Sequence, residues 1–166
     1  FSQMKVSDLC LMNQNGELVY GKERTGDAAQ SIHSNIYKSR PDINAVAHAH
    51  PMYGKTFSTL NKELKPITQD SCAFYKRTAT FTDYDGVANG PDEGINIAKA
   101  LADKDFLILQ NHGILTTGTM VETTLWYFLN MEEACKSQLL AEAVGEPIII
   151  PDKVAIHTRD YVANDL

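Results

Sequence analysis

The stretch AVAHAHPM, residues 45–52, is an apolar run that ends in two histidines and a proline. The run predicts a buried strand, and Pro51 is typical of the first turn of a helix, here expected to reach about Leu60. Alternate residues of a strand point to the same face, so His48 and His50 can direct two imidazoles at one point. Two imidazoles in this arrangement are a common beginning of a site for zinc, iron or manganese.

A second apolar run supplies a third candidate ligand. The sequence DFLILQNHG, residues 105–113, predicts a strand buried on both faces, and His112 follows directly after it. Sites in α/β proteins lie at the ends of strands, so His112 is the candidate that completes a three-histidine metal site. The pattern also leaves open that the histidines are ordinary, partly buried residues of a strand face.

Strands and helices alternate along the rest of the chain. The pattern predicts an α/β fold with a sheet between helical layers. Residues 8–21, DLCLMNQNGELVYG, predict a hairpin with its turn at Asn15 and the following glycine. A helix is predicted over residues 27–40, with Asp27 as its N-cap and a proline after its end.

The longest predicted helix covers residues 119–145. Thr119 and Glu122 fit a capping box at its start. Glu132 is assigned to a solvated face, with Lys136 as its partner one turn later. The buried stripe is expected to contain Val121, Leu125, Phe128, Cys135 and Leu139.

Composition limits the class of protein. The chain has 166 residues, of which 43% are hydrophobic, enough for one globular domain with a core. The net charge of −6 without a basic run disfavours a nucleic-acid partner, and no apolar stretch is long enough to cross a membrane. The three cysteines, Cys10, Cys72 and Cys135, form no CxxC pair, which favours free thiols in a reducing compartment, the cytoplasm.

Three segments together resemble the class II aldolase/adducin domain family. They are YKSRPDINAVAHAH, LILQNHGILTTG and the helix ending in QLLAEAVG, in this order. The resemblance covers residues 1–145 and implies a three-layer α/β/α sandwich around a central mixed, mainly antiparallel sheet. It also implies that the N-terminal part of this domain is missing. Residues 146–166 are then a C-terminal tail, with a short helix expected after Asp152.

The resemblance implies a function as well. Members use one divalent metal ion, zinc first and manganese or iron as alternatives, which here would be held by His48, His50 and His112. The implied activity is that of a carbon–carbon lyase acting on a small oxygenated or carboxylated substrate through a metal-stabilised enolate. Membrane and nucleic-acid partners are not expected, whereas a homotetramer is.

The chain departs from the aldolase pattern at the acid/base glutamate. Counting nineteen residues back from His48 reaches Ala29, which cannot move a proton and which resembles the adducin-like branch. Decarboxylation is therefore kept beside aldol cleavage. Asp70 is a candidate replacement acid/base group or fourth metal ligand, although an aspartate there also suits a loop cap. The further candidate pocket residues are His33, Gln69 and Tyr75.

The alternative is a non-catalytic, adducin-like oligomeric scaffold related to the cytoskeleton. Its metal site would be structural or vestigial, and its partners would be actin and spectrin. Adducins use a lysine-rich C-terminal tail for such contacts, whereas this sequence ends in DYVANDL. A scaffold also has no physical need for three convergent imidazoles.

Overall fold

The computed structural model describes residues 3–22, 26–83, 86 and 91–164. Short 3-10 helices cover Val6–Asp8 and Asp70–Phe74. The strands are β1 (Leu11–Met12), β2 (Leu18–Tyr20), β3 (Ala45–Ala49), β4 (Thr78–Phe81), β5 (Phe106–Leu109) and β6 (Gly113–Gly118). The α-helices are α1 (Asp27–Ser39), α2 (Met52–Ser58), α3 (Pro91–Leu101), α4 (Val121–Val144) and α5 (Asp152–Asn164).

The described residues group into two compact units. The first is drawn from residues 1–41 and 85–99, and the second from residues 42–84 and 100–166. The C-terminal tail contributes α5 to the second unit. There the N–H of Ile150 donates to the carbonyl of Pro66, and Ala155 is fully buried. The short helix expected after Asp152 is therefore present and packed.

The first unit contains the predicted hairpin. β1 and β2 pair antiparallel, and the turn between them is closed by the N–H of Gly16, which donates to the carbonyl of Asn13. Gly16 has a φ of 81°, a conformation that glycine adopts without strain. The side chain of Asn13 accepts the N–H groups of Asn15 and Glu17, so it organises the turn locally.

α1 follows the prediction except at its N-cap. The cap is Gly26, whose carbonyl accepts the N–H of Gln30, and Asp27 is already the first helical residue. An acidic residue in the first turn still interacts favourably with the helix dipole, so Asp27 suits either position. Ile32 and Ile36, one turn apart, are the buried residues of this helix.

The second unit is built on a four-stranded sheet in the order β3-β6-β5-β4. β3 with β6 and β5 with β6 are antiparallel, and β4 with β5 is parallel, so the sheet is mixed and mainly antiparallel as expected. Every residue of β5 is buried, which confirms that strand's prediction. In β3 only Ala45 is buried and the later residues are partly exposed, so the prediction of a buried strand is wrong for most of β3.

α2 and α4 pack together and against this sheet. Phe57 of α2, Phe106 and Ile108 of β5, and Met131 of α4 belong to one buried apolar cluster. The same cluster includes Phe74 from the 3-10 helix. Burial of these large side chains is the main force that holds the sheet, α2 and α4 together.

The predicted buried stripe of α4 is wrong over its first two turns. Val121 and Leu125 are 69% and 50% exposed. The buried positions are Thr124, Tyr127, Met131, Ala134, Cys135 and Gln138. Gln138 accepts the N–H of Lys65, and the Thr124 hydroxyl donates to a carbonyl one turn earlier. Because this buried face is partly polar, hydropathy alone points to a different face.

The start of α4 also differs from the prediction. Its N-cap is Met120, and no side-chain hydrogen bond caps it, so the capping box of Thr119 and Glu122 is absent. No helix in the described part of the chain is both long and apolar enough to cross a membrane.

Candidate metal centre

β3 presents two of the histidines. His48 is its fourth residue, and His50 follows its last residue, Ala49. The two ring centroids are 5.2 Å apart, with His48 half-buried and His50 exposed. The proximity follows from the alternation of side chains along an extended chain, as the sequence predicts.

The turn between β5 and β6 carries the third histidine, His112. β5 ends at Leu109 and β6 begins at Gly113, and the N–H of His112 closes the turn by donating to the Leu109 carbonyl, at 3.0 Å. Asn111 has a φ of 57°, the positive value that a type II turn requires at its third residue. Asparagine is one of the few residues other than glycine that adopt this conformation readily.

The strand register brings the two histidine-bearing segments together. Leu109 pairs with Gly113 across the turn, and Ala49 pairs with Ile114 between β3 and β6, so both segments lie at one end of the sheet. The ring centroid of His112 is 4.9 Å from that of His48 and 4.5 Å from that of His50. The potential ligand atoms of the three histidines all lie within 4.8 Å of one another.

Gly113 is required by close approach rather than by an unusual backbone conformation. A Cβ at this position would lie 2.5 Å from the carbonyl oxygen of Ala49 and 3.0 Å from Cδ2 of His50. The absence of a side chain therefore lets the turn and the end of β3 come close enough for the imidazoles to meet.

Backbone contacts and burial prepare the imidazoles for ligation. Nδ1 of His48 lies 3.0 Å from the carbonyl oxygen of Ile114. A carbonyl only accepts, so Nδ1 carries the proton, and Nε2 is the nitrogen that can present a lone pair. Burial lowers the pKa of His112, and the neighbouring His50 lowers it further, which favours the neutral form that binds metals.

The donor set fits a divalent ion. Within the described ranges, these three histidines are the group of His, Cys, Asp and Glu side chains close enough together to hold one. Three neutral imidazoles with a further position open to water or substrate are typical of catalytic zinc sites. Other first-row divalent metals accept the same ligands.

Comparison with known proteins identifies the family. The family model of the class II aldolase and adducin N-terminal domain matches residues 1–139. The chain belongs to this family. The class II aldolase fold expected from the sequence is confirmed by a solved structure, an L-fuculose 1-phosphate aldolase from Glaciozyma antarctica PI12. It is 42% identical, has a TM-score of 0.84, and the match covers 95% of this chain and 61% of that one.

Two curated relatives match along the whole chain. Decarboxylase NovR of Streptomyces niveus is 38% identical over 167 residues, which cover 100% of this chain and 62% of the relative. A 4-hydroxy-3-prenylphenylpyruvate oxygenase/4-hydroxy-3-prenylbenzoate synthase of Streptomyces roseochromogenus subsp. oscitans is 37% identical, with 100% of this chain and 60% of the relative covered. The chain thus spans about three fifths of the length of these two relatives.

In the second unit, Asp70 is not among the side chains that converge with the three histidines as possible metal ligands. Gln69 and Asp70 are exposed, at the cap and the first position of the 3-10 helix Asp70–Phe74. The Tyr75 hydroxyl donates to Oδ1 of Asp152, at 2.8 Å. Tyr75 also lines a cavity of about 600 Å³ whose described walls include Thr78 but none of the three histidines.

Two further residues named from the sequence lie on α1 in the first unit. His33 is half-buried, and burial lowers its pKa, so its imidazole stays neutral at a lower pH than an exposed one does. Ala29, one turn earlier, is exposed. The family resemblance places the acid/base glutamate of the aldolases at this position, and whether Ala29 is its counterpart stays a prediction.

Glu132 is a residue whose contacts the sequence reasoning missed. Predicted on a solvated face, it is half-buried, and its carboxylate accepts the backbone N–H groups of Tyr53 and Gly54 at the start of α2. Lys136 is 3.4 Å from Glu133 and not paired with Glu132 as predicted. A signal in the sequence is that Glu132 lies one helical turn after Phe128 and one before Cys135, two positions of the predicted apolar stripe.

Proposed function

We propose that this chain carries the metal centre of a divalent-metal-dependent carbon–carbon lyase acting on a small oxygenated or carboxylated substrate. The observation that carries the proposal is the convergence of His48, His50 and His112, with ligand atoms within 4.8 Å of one another. A metal ion held there supplies a Lewis acid that withdraws electron density from a substrate oxygen. Relatives named decarboxylase and aldolase support the same class of reaction.

Decarboxylation is the reaction that fits this chain best. Aldol chemistry needs a group that moves a proton, and Ala29 cannot do so. When carbon dioxide leaves a 3-oxo acid, the electron pair of the breaking bond forms an enolate, so no base has to remove a proton first. A divalent metal at the three histidines would stabilise the negative charge on the enolate oxygen. The proton added afterwards can come from water, with Asp70 as the carboxylate to test. The name of one relative contains a phenylpyruvate, which is a carboxylic acid and so supports a carboxylated substrate.

Aldol cleavage is the second candidate. It is favoured by the 42% identity to the L-fuculose 1-phosphate aldolase. The finer properties belong to the same proposal: zinc as the ion, a homotetramer as the assembly and the cytoplasm as the location. Zinc is placed first because three histidines and an open position suit it.

The first experiment measures metal content in the full protein purified without added metal. Wild type is compared with His48→Ala, His112→Ala and a matched control, His157→Ala, whose histidine is exposed on α5. We expect about one equivalent per chain, lost in both site variants and kept in the control. Release of carbon dioxide from 3-oxo acids, assayed beside cleavage of sugar phosphates, then separates the two reactions.

The opposite result would be equally informative. If wild type contained no metal and took up neither zinc nor manganese, the lyase proposal would be wrong. The non-catalytic scaffold would then be the account to pursue, with self-association measured by light scattering.

A further inference from the structure

We propose, on the basis of the metal centre proposed above, that Glu132 is a positioning residue for that centre. It acts through α2 on the segments that carry the three histidines. Glu132 lies on α4, more than eighty residues after His48 and His50 and twenty after His112. Its effect therefore depends on what its carboxylate holds.

The Glu132 carboxylate caps the N-terminus of α2. One oxygen accepts the Tyr53 N–H at 2.9 Å, and the other accepts the Gly54 N–H at 2.6 Å. The N-cap residue, Pro51, has no side chain that could make these bonds, and it directly follows His50. Hydrogen bonds from N–H groups at a helix start to a carboxylate are strengthened by the charge and the helix dipole. Glu132 thus fixes the helix that begins two residues after His50.

The other end of α2 is bonded to the turn that carries His112. The carbonyl of Ser58, the last residue of α2, accepts the N–H of Asn111 at 3.0 Å. Ser58 is 1% exposed, so this bond is shielded from competing water. Asn111 immediately precedes His112, so a shift of α2 along its axis displaces this turn.

The first turn of α2 rests on β6, the strand that orients His48. A Cβ at Gly54 would lie 3.0 Å from the side chain of Ile114, so the helix backbone sits directly against this residue. The carbonyl of Ile114 is the group that holds Nδ1 of His48. α2 is therefore linked to His50 by sequence, to His112 through the hydrogen bond of Ser58 with the preceding residue, and to His48 by packing against Ile114.

The experiment measures zinc affinity by competition with a chromophoric chelator in the full protein. Glu132→Ala and Glu132→Gln are compared with Glu133→Ala, a control at the adjacent exposed position of the same helix. We expect affinity to fall about tenfold in Glu132→Ala, the lower end of the range for groups that orient metal ligands. Glu132→Gln keeps one acceptor oxygen and should recover part of the loss, while Glu133→Ala should stay within about twofold of wild type.

A second set of variants tests the Asn111 link in case loss of the Glu132 carboxylate prevents folding. Asn111→Val is strained in the left-handed conformation of this turn and should bind zinc more weakly than wild type does. Ala102→Val is the matched control, because Ala102 is exposed and also has a positive φ, 47°. Equal affinity in Asn111→Val and Ala102→Val would overturn the link to His112.

A metal-independent readout separates this proposal from the proposed function. NMR signals of the His50 and His112 rings, recorded in EDTA, should move in Glu132→Ala and stay in place in Glu133→Ala. If Glu132→Ala left both the NMR signals of these rings and the zinc affinity unchanged, the positioning role would be overturned, whatever the melting temperature of the variant. A wild type that binds no zinc would overturn the proposed function instead, and the ring signals would still decide whether Glu132 positions the histidines.

Discussion

The substitution Gly113→Ala should damage stability and metal binding together. The new Cβ would lie 2.5 Å from the carbonyl oxygen of Ala49 and 3.0 Å from Cδ2 of His50. Ordinary contacts of this kind begin at about 3.4 Å, so Ala49 and the turn must separate by roughly 1 Å. The neighbour that must move is backbone within the β3–β6 pairing, where Ala49 faces Ile114.

The size of the effect follows from this geometry. Forcing an extra methyl group into a packed site costs about 1–3 kcal/mol. For a chain of this length, a loss of about 2 kcal/mol lowers the melting temperature by about 4–8 °C. The same displacement carries the His50 ring away from His112, and loss of ligand orientation weakens metal affinity by about 10–100-fold.

The assay combines thermal unfolding in EDTA with zinc titration. Gly145→Ala is the control, since nothing lies within 4 Å of a Cβ there and its φ of 172° is extended backbone. This control should change the free energy of unfolding by less than about 0.5 kcal/mol. If Gly113→Ala retained both the wild-type melting temperature and the wild-type zinc affinity, the close-approach reasoning would be refuted.

Two further predictions concern groups away from the histidines. Hydrogen bonds from Lys62 and Lys65 lower the pKa of Glu142 to about 2, from an ordinary 4.5. Between these two pKa values the unfolded state binds more protons than the folded state, so the free energy of unfolding falls as the pH drops. In Glu142→Gln the melting temperature should therefore depend less on pH between about pH 4.5 and 2.5 than it does in wild type. Burial raises the pKa of the Cys135 thiol to about 12, so a thiol reagent should modify the partly exposed Cys10 in the native protein and reach Cys135 only in denaturant. Rapid native labelling of Cys135 would contradict this.

The sequence predicted the parts of the site that depend on local periodicity. His48 and His50 meet because a strand alternates its side chains, and His112 follows a fully buried apolar run. The hairpin of the first unit and the mixed sheet were also predictable, from an Asn-Gly turn and from the family resemblance respectively. These features need no knowledge of which residues contact each other across the chain.

Other features depend on contacts between residues far apart in sequence. Glu132 has the local pattern of a solvated residue, yet it caps a helix that begins eighty residues earlier in the chain. Gln138 is buried on α4 because Lys65 and the backbone of Glu63 supply hydrogen bonds that compensate for its burial. Leu125, which the apolar pattern placed inside, is 50% exposed. For Glu132 and Gln138, a hydrogen-bond partner outside the helix accounts for the burial of a polar side chain.

Each residue of the NHG motif, residues 111–113, has a different structural role. Asn111 adopts the positive φ of the turn, His112 supplies an imidazole, and Gly113 leaves room for the backbone of Ala49. A turn that only connected β5 to β6 would need the positive φ at Asn111. Without a third strand beside it, such a hairpin would leave room for a side chain at position 113. Glycine is needed at position 113 because the end of β3 lies close to the turn. The same close approach places the ring centroids of His50 and His112 4.5 Å apart. A fold kept for assembly alone gains nothing from this approach, whereas a metal ion bound by all three histidines would be stabilised by it.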